Sequence, residues 1–272
     1  MTAPHRDIPL RFASVGDPSK PKVLFLHGFL GSGSDWLPVA QRLEPDYCSI
    51  LVDLPGHGET GIPADADPGT FFSETVDALA AGLGSSSGKH CSLVGYSMGG
   101  RIALMLALRH PSLFRKAVIV SASPGLRTPE ERENRRKSDE GIARKIERNF
   151  DGFIEAWYDQ PLFSTLKAHP LFREIEAKRR QSSPANLTRA LRLLGTGSQP
   201  PLWDEMPSNR TPLLFVVGEK DLKFVEIGRR MVTVCPLSGL EIVPECGHTV
   251  HLENRELFVD RLKAFFNTHQ PT

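Results

Sequence analysis

Along the chain, short runs rich in Val, Ile, Leu and Phe recur without polar alternation, each bounded by Gly, Pro or Asp. They lie at Lys22–Leu26, Cys48–Val52, Cys91–Val94, Ala117–Ser121, Leu213–Val217 and Leu240–Val243. Consecutive apolar positions leave no face for water, so these runs predict strands buried on both sides of a parallel sheet. Between them the apolar spacing changes to three and four. Phe71–Leu83, Gly99–Arg109, Phe224–Val234 and Leu257–Asn267 each carry a stripe of helical period. Strand alternating with helix predicts an α/β fold built on a doubly wound, mostly parallel sheet.

One region breaks the rhythm. From about Gly125 to Asp204 there is no convincing strand, only charge-rich helical sequence punctuated by Pro129, Pro161, Pro170, Pro184, Pro200 and Pro201. The stretch is too long for a loop in a compact domain and too helical in pattern for disorder. It predicts an inserted helical cap at residues 125–204, on a core of residues 1–124 and 205–272.

Composition narrows the chemistry. The formal net charge of +1 supplies no global field that would recruit nucleic acid or an anionic membrane. Its distribution is more telling: Arg127–Arg192 holds 15 Lys or Arg against 11 Asp or Glu, a basic segment on a slightly acidic body. That hints at an anionic substrate. No stretch reaches the roughly 20 apolar residues needed to span a bilayer, and the N-terminal MTAPHRDIPL lacks the apolar run of a leader. Cys48, Cys91, Cys235 and Cys246 form no CxxC pair. They are expected to be buried free thiols in a reducing, cytoplasmic setting, without a disulfide framework or a zinc site. Gly31-Ser32-Gly33 lacks the spacing and the lysine of a phosphate loop.

The strongest local signal is Gly95-Tyr96-Ser97-Met98-Gly99, set between the strand-like CSLV and the helix-like GGRIALMLALRH. A G-x-S-x-G in that context predicts a nucleophile elbow, a sharp strand-to-helix turn that thrusts a serine out of the sheet. Such a serine needs a base, and the base an orienting acid, in the chain order Ser, acid, His. Asp221 follows the strand Leu213–Val217, and His248 follows Leu240–Val243. Glu219 and His251 are the alternatives for these two roles. All three groups arrive at the carboxyl ends of strands, where open α/β sheets build their sites. An oxyanion hole is expected from two backbone N–H groups, those of Met98 and of Phe29 in the glycine-bearing loop Leu26–Gly31. His27, in that loop, is expected to pack and hydrogen-bond locally, and stays among the candidates for substrate contact.

These features are those of the α/β-hydrolase fold. Several stretches are narrower: Gly95–Arg101, Ser123-Pro124-Gly125-Leu126, Trp157-Tyr158, Gly218–Phe224 and Gly247–Asn254. Together they resemble the 2-succinyl-6-hydroxy-2,4-cyclohexadiene-1-carboxylate synthase (MenH) family of menaquinone and phylloquinone biosynthesis, over roughly Val23 to Phe266. The cap resembles the version that forms the last domain of the plant multifunctional protein of this pathway. The resemblance implies elimination of pyruvate from a tricarboxylate precursor, with the serine acting as base and no cofactor. It further implies that Arg101, Arg135 and Arg179 bind substrate carboxylates, and that Tyr96 and Trp157 line the pocket. Lys178 and Arg180, flanking Arg179, compete for its role.

Two other readings share these residues: a serine hydrolase of esters or carbon–carbon bonds, and a non-catalytic small-molecule receptor. An arginine-lined cavity separates the synthase from an esterase for neutral substrates. Turnover separates it from a receptor. Both monomer and homodimer are compatible with the sequence.

Overall fold

The computed structural model describes residues 8–83 and 91–268. Most of the N-terminal stretch inspected for a leader therefore falls outside the described residues.

Seven strands form one sheet: β1 (Arg11–Val15), β2 (Lys22–Leu26), β3 (Cys48–Asp53), β4 (Cys91–Tyr96), β5 (Phe114–Val120), β6 (Leu213–Gly218) and β7 (Ser238–Val243). Their order is β1-β3-β2-β4-β5-β6-β7. Only β1 runs antiparallel, paired with β3 from Arg11↔Asp53 to Val15↔Ser49; the other pairs are parallel. Helices cover both faces. On one side α2 (Phe71–Leu83), α3 (Met98–Arg109) and α9 (Leu222–Val234) bury apolar stripes against the sheet. On the other, α1 (Leu37–Leu43) and α11 (Arg255–Asn267) do the same, around Trp36, Phe25 and Phe258. The short α10 (Val250–Glu253) leads into α11.

Between β5 and β6 the chain forms α4 (Pro129–Arg148), α5 (Phe150–Tyr158), α6 (Ser164–Ala168), α7 (Phe172–Arg179) and α8 (Pro184–Leu194). These helices share a separate apolar cluster that includes Ile146, Ile154, Phe163 and Leu187, and that touches the core through Leu30. Three of their starts carry side-chain caps. Thr128 and Glu131 form a reciprocal capping box on α4, Asn149 caps α5 and Ser183 caps α8.

Every strand and helix expected from the apolar pattern is present, two with both ends as expected and the others with ends displaced by at most three residues. Three elements outside the inserted helices were not expected. β1 is largely exposed at the sheet edge, so it carries no buried run, and α1 and α10 are only seven and four residues long. All four cysteines are free and buried. Among the described residues no helix is long and apolar enough to cross a membrane.

Candidate active site

The elbow is visible in the backbone. Ser97 sits between β4 and α3 at φ 50°, ψ −109°, a left-handed conformation that strains any residue bearing a Cβ. Hydrogen bonds hold it: its N–H donates to the Val120 carbonyl at 2.9 Å and its carbonyl accepts from Arg101 N–H at 3.0 Å. Glycine is required on both sides. A Cβ on Gly95 would collide with the Gly99 carbonyl, and one on Gly99 with the carbonyls of Leu26 and His27.

The acid and base come from two loops that touch. Lys220 N–H donates to the Cys246 carbonyl at 2.9 Å, and Glu253 accepts from the N–H groups of Gly247 (2.7 Å) and Thr249 (3.1 Å). This places His248 Nδ1 2.6 Å from Asp221 Oδ2, and His248 Nε2 3.1 Å from Ser97 Oγ. With the Asp221 carboxylate accepting, Nδ1 is the donor and Nε2 is left to accept from the serine hydroxyl. The His248 and Asp221 side chains are each 3% exposed, which shields their bond from water. Such a constellation can raise a serine oxygen to a base or a nucleophile.

Of the two alternatives, Glu219 accepts the Glu245 N–H at 3.0 Å. His251 stacks on Trp36 and Tyr96, each with ring centroids 4.4 Å apart, and burial pushes its pKa down to about 3. Neither makes the bonds that His248 and Asp221 make.

Ser97 and His248 open into a cavity of about 330 Å³, which Phe29 and Met98 also line. The Met98 N–H, at the first helical position of α3, has no intrahelical partner and is free to donate. Phe29 lies in a loop whose next residue, Leu30, is held left-handed at φ 67°. Trp157, Phe163, Leu194 and Phe224 supply apolar wall.

The charged part of the wall is mostly cationic. Arg101, Arg127, Arg135, Lys223 and Arg230 line the cavity, and the one carboxylate there, Glu131, is engaged in the α4 capping box. Arg101 is only 8% exposed. Its Nη2 donates to the Leu194 carbonyl at 2.8 Å, its guanidinium lies 5.7 Å from the Phe72 ring centre, and its Nη1 has no partner. Burial, with Arg135 nearby, pushes it down to about 9 against the opposing pull of Asp139, so it remains charged at neutral pH without a salt bridge of its own among the described residues. Arg135 donates to Asp139 at 2.7 Å while facing the cavity.

Sequence reasoning missed a cation pair. The guanidiniums of Arg127 and Arg230 stack on Trp203, 4.4 and 5.0 Å from its ring centre, and Trp203 Nε1 donates to the Gly125 carbonyl at 2.9 Å. Among the described residues neither arginine forms a salt bridge. Lys223 was likewise not assigned a site role.

Three expected substrate contacts lie elsewhere. Arg179 does not line the main cavity. It borders a separate chamber of about 40 Å³ that also touches Ser97, and it is paired with Asp35 at 2.7 and 2.9 Å. Of its neighbours, Lys178 lies 3.8 Å from Asp35, and Arg180 pairs with Asp151, Glu155 and Glu176. His27 is engaged by backbone on both nitrogens: Nδ1 donates to Gly28 O at 2.7 Å and Nε2 accepts from Leu54 N–H at 3.0 Å. Tyr96 packs behind His248, with ring centroids 5.4 Å apart, and burial holds its phenol protonated. Ser97, His248, Phe29, Met98, Arg101, Arg135 and Trp157 do meet at one cavity.

Elbow, sheet order and acid–base loops define the class, and the chain belongs to the alpha/beta hydrolase family, whose profile matches residues 23–261. A relative in Enterobacter sp. (strain 638), 2-succinyl-6-hydroxy-2,4-cyclohexadiene-1-carboxylate synthase, is 34% identical over 88% of this chain and 89% of its own. Protein PHYLLO, chloroplastic, of Arabidopsis thaliana is 37% identical over 94% of this chain, which spans only 16% of that longer protein. The structure of MenH from S. aureus superposes with a TM-score of 0.88 at 30% identity, covering 94% of this chain and 97% of that one. Within the larger family, the chain belongs to the 2-succinyl-6-hydroxy-2,4-cyclohexadiene-1-carboxylate synthases.

Proposed function

We propose that this chain eliminates pyruvate from 2-succinyl-5-enolpyruvyl-6-hydroxy-3-cyclohexene-1-carboxylate to give 2-succinyl-6-hydroxy-2,4-cyclohexadiene-1-carboxylate, a lyase step of menaquinone or phylloquinone biosynthesis. The observation that carries the proposal is the cavity at Ser97, where five cations face a single carboxylate that is already engaged. A substrate with three carboxylates fits such a wall, and guanidinium binds carboxylate through a planar fork. A neutral ester does not call for it.

The chemistry follows from the hydrogen bonds. The ring C2–H lies next to the succinyl ketone and is allylic to the ring double bond, so its anion is delocalised. Ser97 Oγ takes this proton as its own passes to His248 Nε2, and Asp221 stabilises the imidazolium. The N–H groups of Phe29 and Met98 hold the enolate oxygen; a donor in that role is worth about 3–4 kcal/mol of barrier. Electrons shift through the ring, the C5–O bond breaks, and the enolate of pyruvate leaves and recovers a proton. No acyl-enzyme forms, and neither oxidant nor cofactor is needed.

In this reading residues 125–204 act as a cap over a core of residues 1–124 and 205–272. Two observations support it: the helices between β5 and β6 own an apolar cluster, and that segment supplies Arg127, Arg135 and Trp157 to the cavity. One chain supplies every group used, so a monomer or a homodimer would serve. The bacterial relatives fit a cytoplasmic enzyme, while the plant relative is named chloroplastic.

The test is pyruvate release from the enolpyruvyl precursor beside cleavage of a p-nitrophenyl ester. Fast release with feeble ester cleavage is the expected result. Fast ester cleavage without pyruvate would move the chain to the hydrolases.

A further inference from the structure

Ser121, just beyond β5, takes no part in the triad or its loops. Its side chain is 0% exposed, and its hydroxyl has no hydrogen-bond partner within the protein. Its backbone is left-handed at φ 48°. Buried hydroxyls almost always find a partner, and strained backbone collects where ligands bind. Both departures fall on one side chain that lines the cavity at Ser97.

A second unpartnered polar atom belongs to the same cavity wall: Arg101 Nη1, also buried. The segments carrying the two residues are packed backbone to backbone. Ser97 N–H bonds the Val120 carbonyl at 2.9 Å, next to Ser121. A Cβ added to Gly100, next to Arg101, would lie 2.7 Å from Ala122 Cβ and 3.2 Å from the Val120 carbonyl. The main chain of Ser121 is fixed from the far side, its N–H donating to the Val216 carbonyl at 2.9 Å. Neither residue can drift away from the elbow.

We propose that the Ser121 hydroxyl and Arg101 Nη1 together hold one carboxylate of the substrate beside Ser97, the hydroxyl donating to one oxygen and the guanidinium to the other. This rests on the function proposed above for the identity of the substrate, but not for the class of ligand, a small carboxylate. Ser121 is thus a determinant of specificity: it gives an anion a second donor, and it tolerates strain and burial that an apolar residue with a relaxed backbone would avoid.

Two substitutions separate binding from folding. Ser121→Ala removes the hydroxyl alone; Ser121→Gly also relieves the left-handed strain. Both variants are expected to melt at or above the wild-type temperature. Both should raise KM for pyruvate release and lower kcat/KM about tenfold, equivalent to about 1.4 kcal/mol. Both should weaken succinate binding, followed by titration calorimetry, by a similar factor. Succinate tests the subsite without turnover. If the wild type releases no pyruvate but both variants lose succinate affinity, the proposed reaction fails and the subsite stands. If the wild type releases pyruvate and the variants bind and turn over equally well, the subsite fails and the reaction stands. A lowered melting temperature with unchanged kinetics, or a wild type that binds no succinate, also overturns the subsite.

Discussion

Arg101 is buried and forms no salt bridge among the described residues, so Arg101→Met should separate stability from activity. Burial moves the guanidinium from 12.5 to about 9, which at about 1.36 kcal/mol per unit corresponds to roughly 5 kcal/mol against the charged form. Methionine has a similar reach and no charge. It forfeits the 2.8 Å bond to the Leu194 carbonyl, and an unpaired buried acceptor costs about 1–3 kcal/mol. The variant should therefore be about 2–4 kcal/mol more stable than the wild type, in line with buried ions replaced by apolar groups. For a chain of this size each kcal/mol shifts Tm by about 2–4 °C, a change that thermal unfolding followed by circular dichroism resolves. Turnover should fall. Truncating one partner of a buried, hydrogen-bonded charge pair costs about 2–5 kcal/mol, or about 30- to several-thousand-fold in kcat/KM. Pyruvate release coupled to lactate dehydrogenase measures this directly. A variant that melts well below the wild type while keeping its kcat/KM would make Arg101 a structural residue and refute the reasoning.

Further consequences can be checked in the same assays. Arg127→Ala and Arg230→Ala remove exposed cations stacked on Trp203, so each should raise KM by no more than about fivefold. Each should also blunt the rise of KM with salt, because the lost attraction is the screened part; a KM that matches the wild type at every ionic strength would contradict a role for the pair. His251 is held neutral by burial, its pKa lowered from 6.5 to about 3. The unfolded chain therefore binds the extra proton first. The stability that His251 allows is full above about pH 6.5 and is lost as pH falls toward 3, at about 1.4 kcal/mol per unit. His251→Phe should flatten that slope in urea titrations, and parallel wild-type and variant curves between pH 6.5 and 4 would refute the buried neutral ring.

The hydrogen-bonded arrangement of Ser97, His248 and Asp221 was legible because each member is announced locally. Ser97 stands between a buried strand and a Gly-Gly helix start, and Asp221 and His248 each follow an apolar run. The buried strands were legible for the same reason, since doubly covered sheet forbids polar alternation. β1 was not, because an exposed edge strand carries no such run. Cavity-lining residues fared differently. Arg101 was expected from the family resemblance, and its place one turn into α3 brings it to the cavity. Arg127 and Arg230 were not expected: the two are far apart in sequence, and they meet only when the loop before α4 and the helix α9 fold against Trp203. Arg179 shows the converse. The family resemblance implied an anion binder there, yet its partner Asp35 lies 144 positions away, and no local pattern announces that pairing.

The central claim is that Ser97, coupled to His248 and Asp221, removes a carbon-bound proton and so releases pyruvate. Single-turnover pyruvate release by Ser97→Ala tests it most directly. A drop of at least about 10⁴-fold, with unfolding unchanged from the wild type, is the predicted result. Near wild-type release from a folded Ser97→Ala protein would contradict the account.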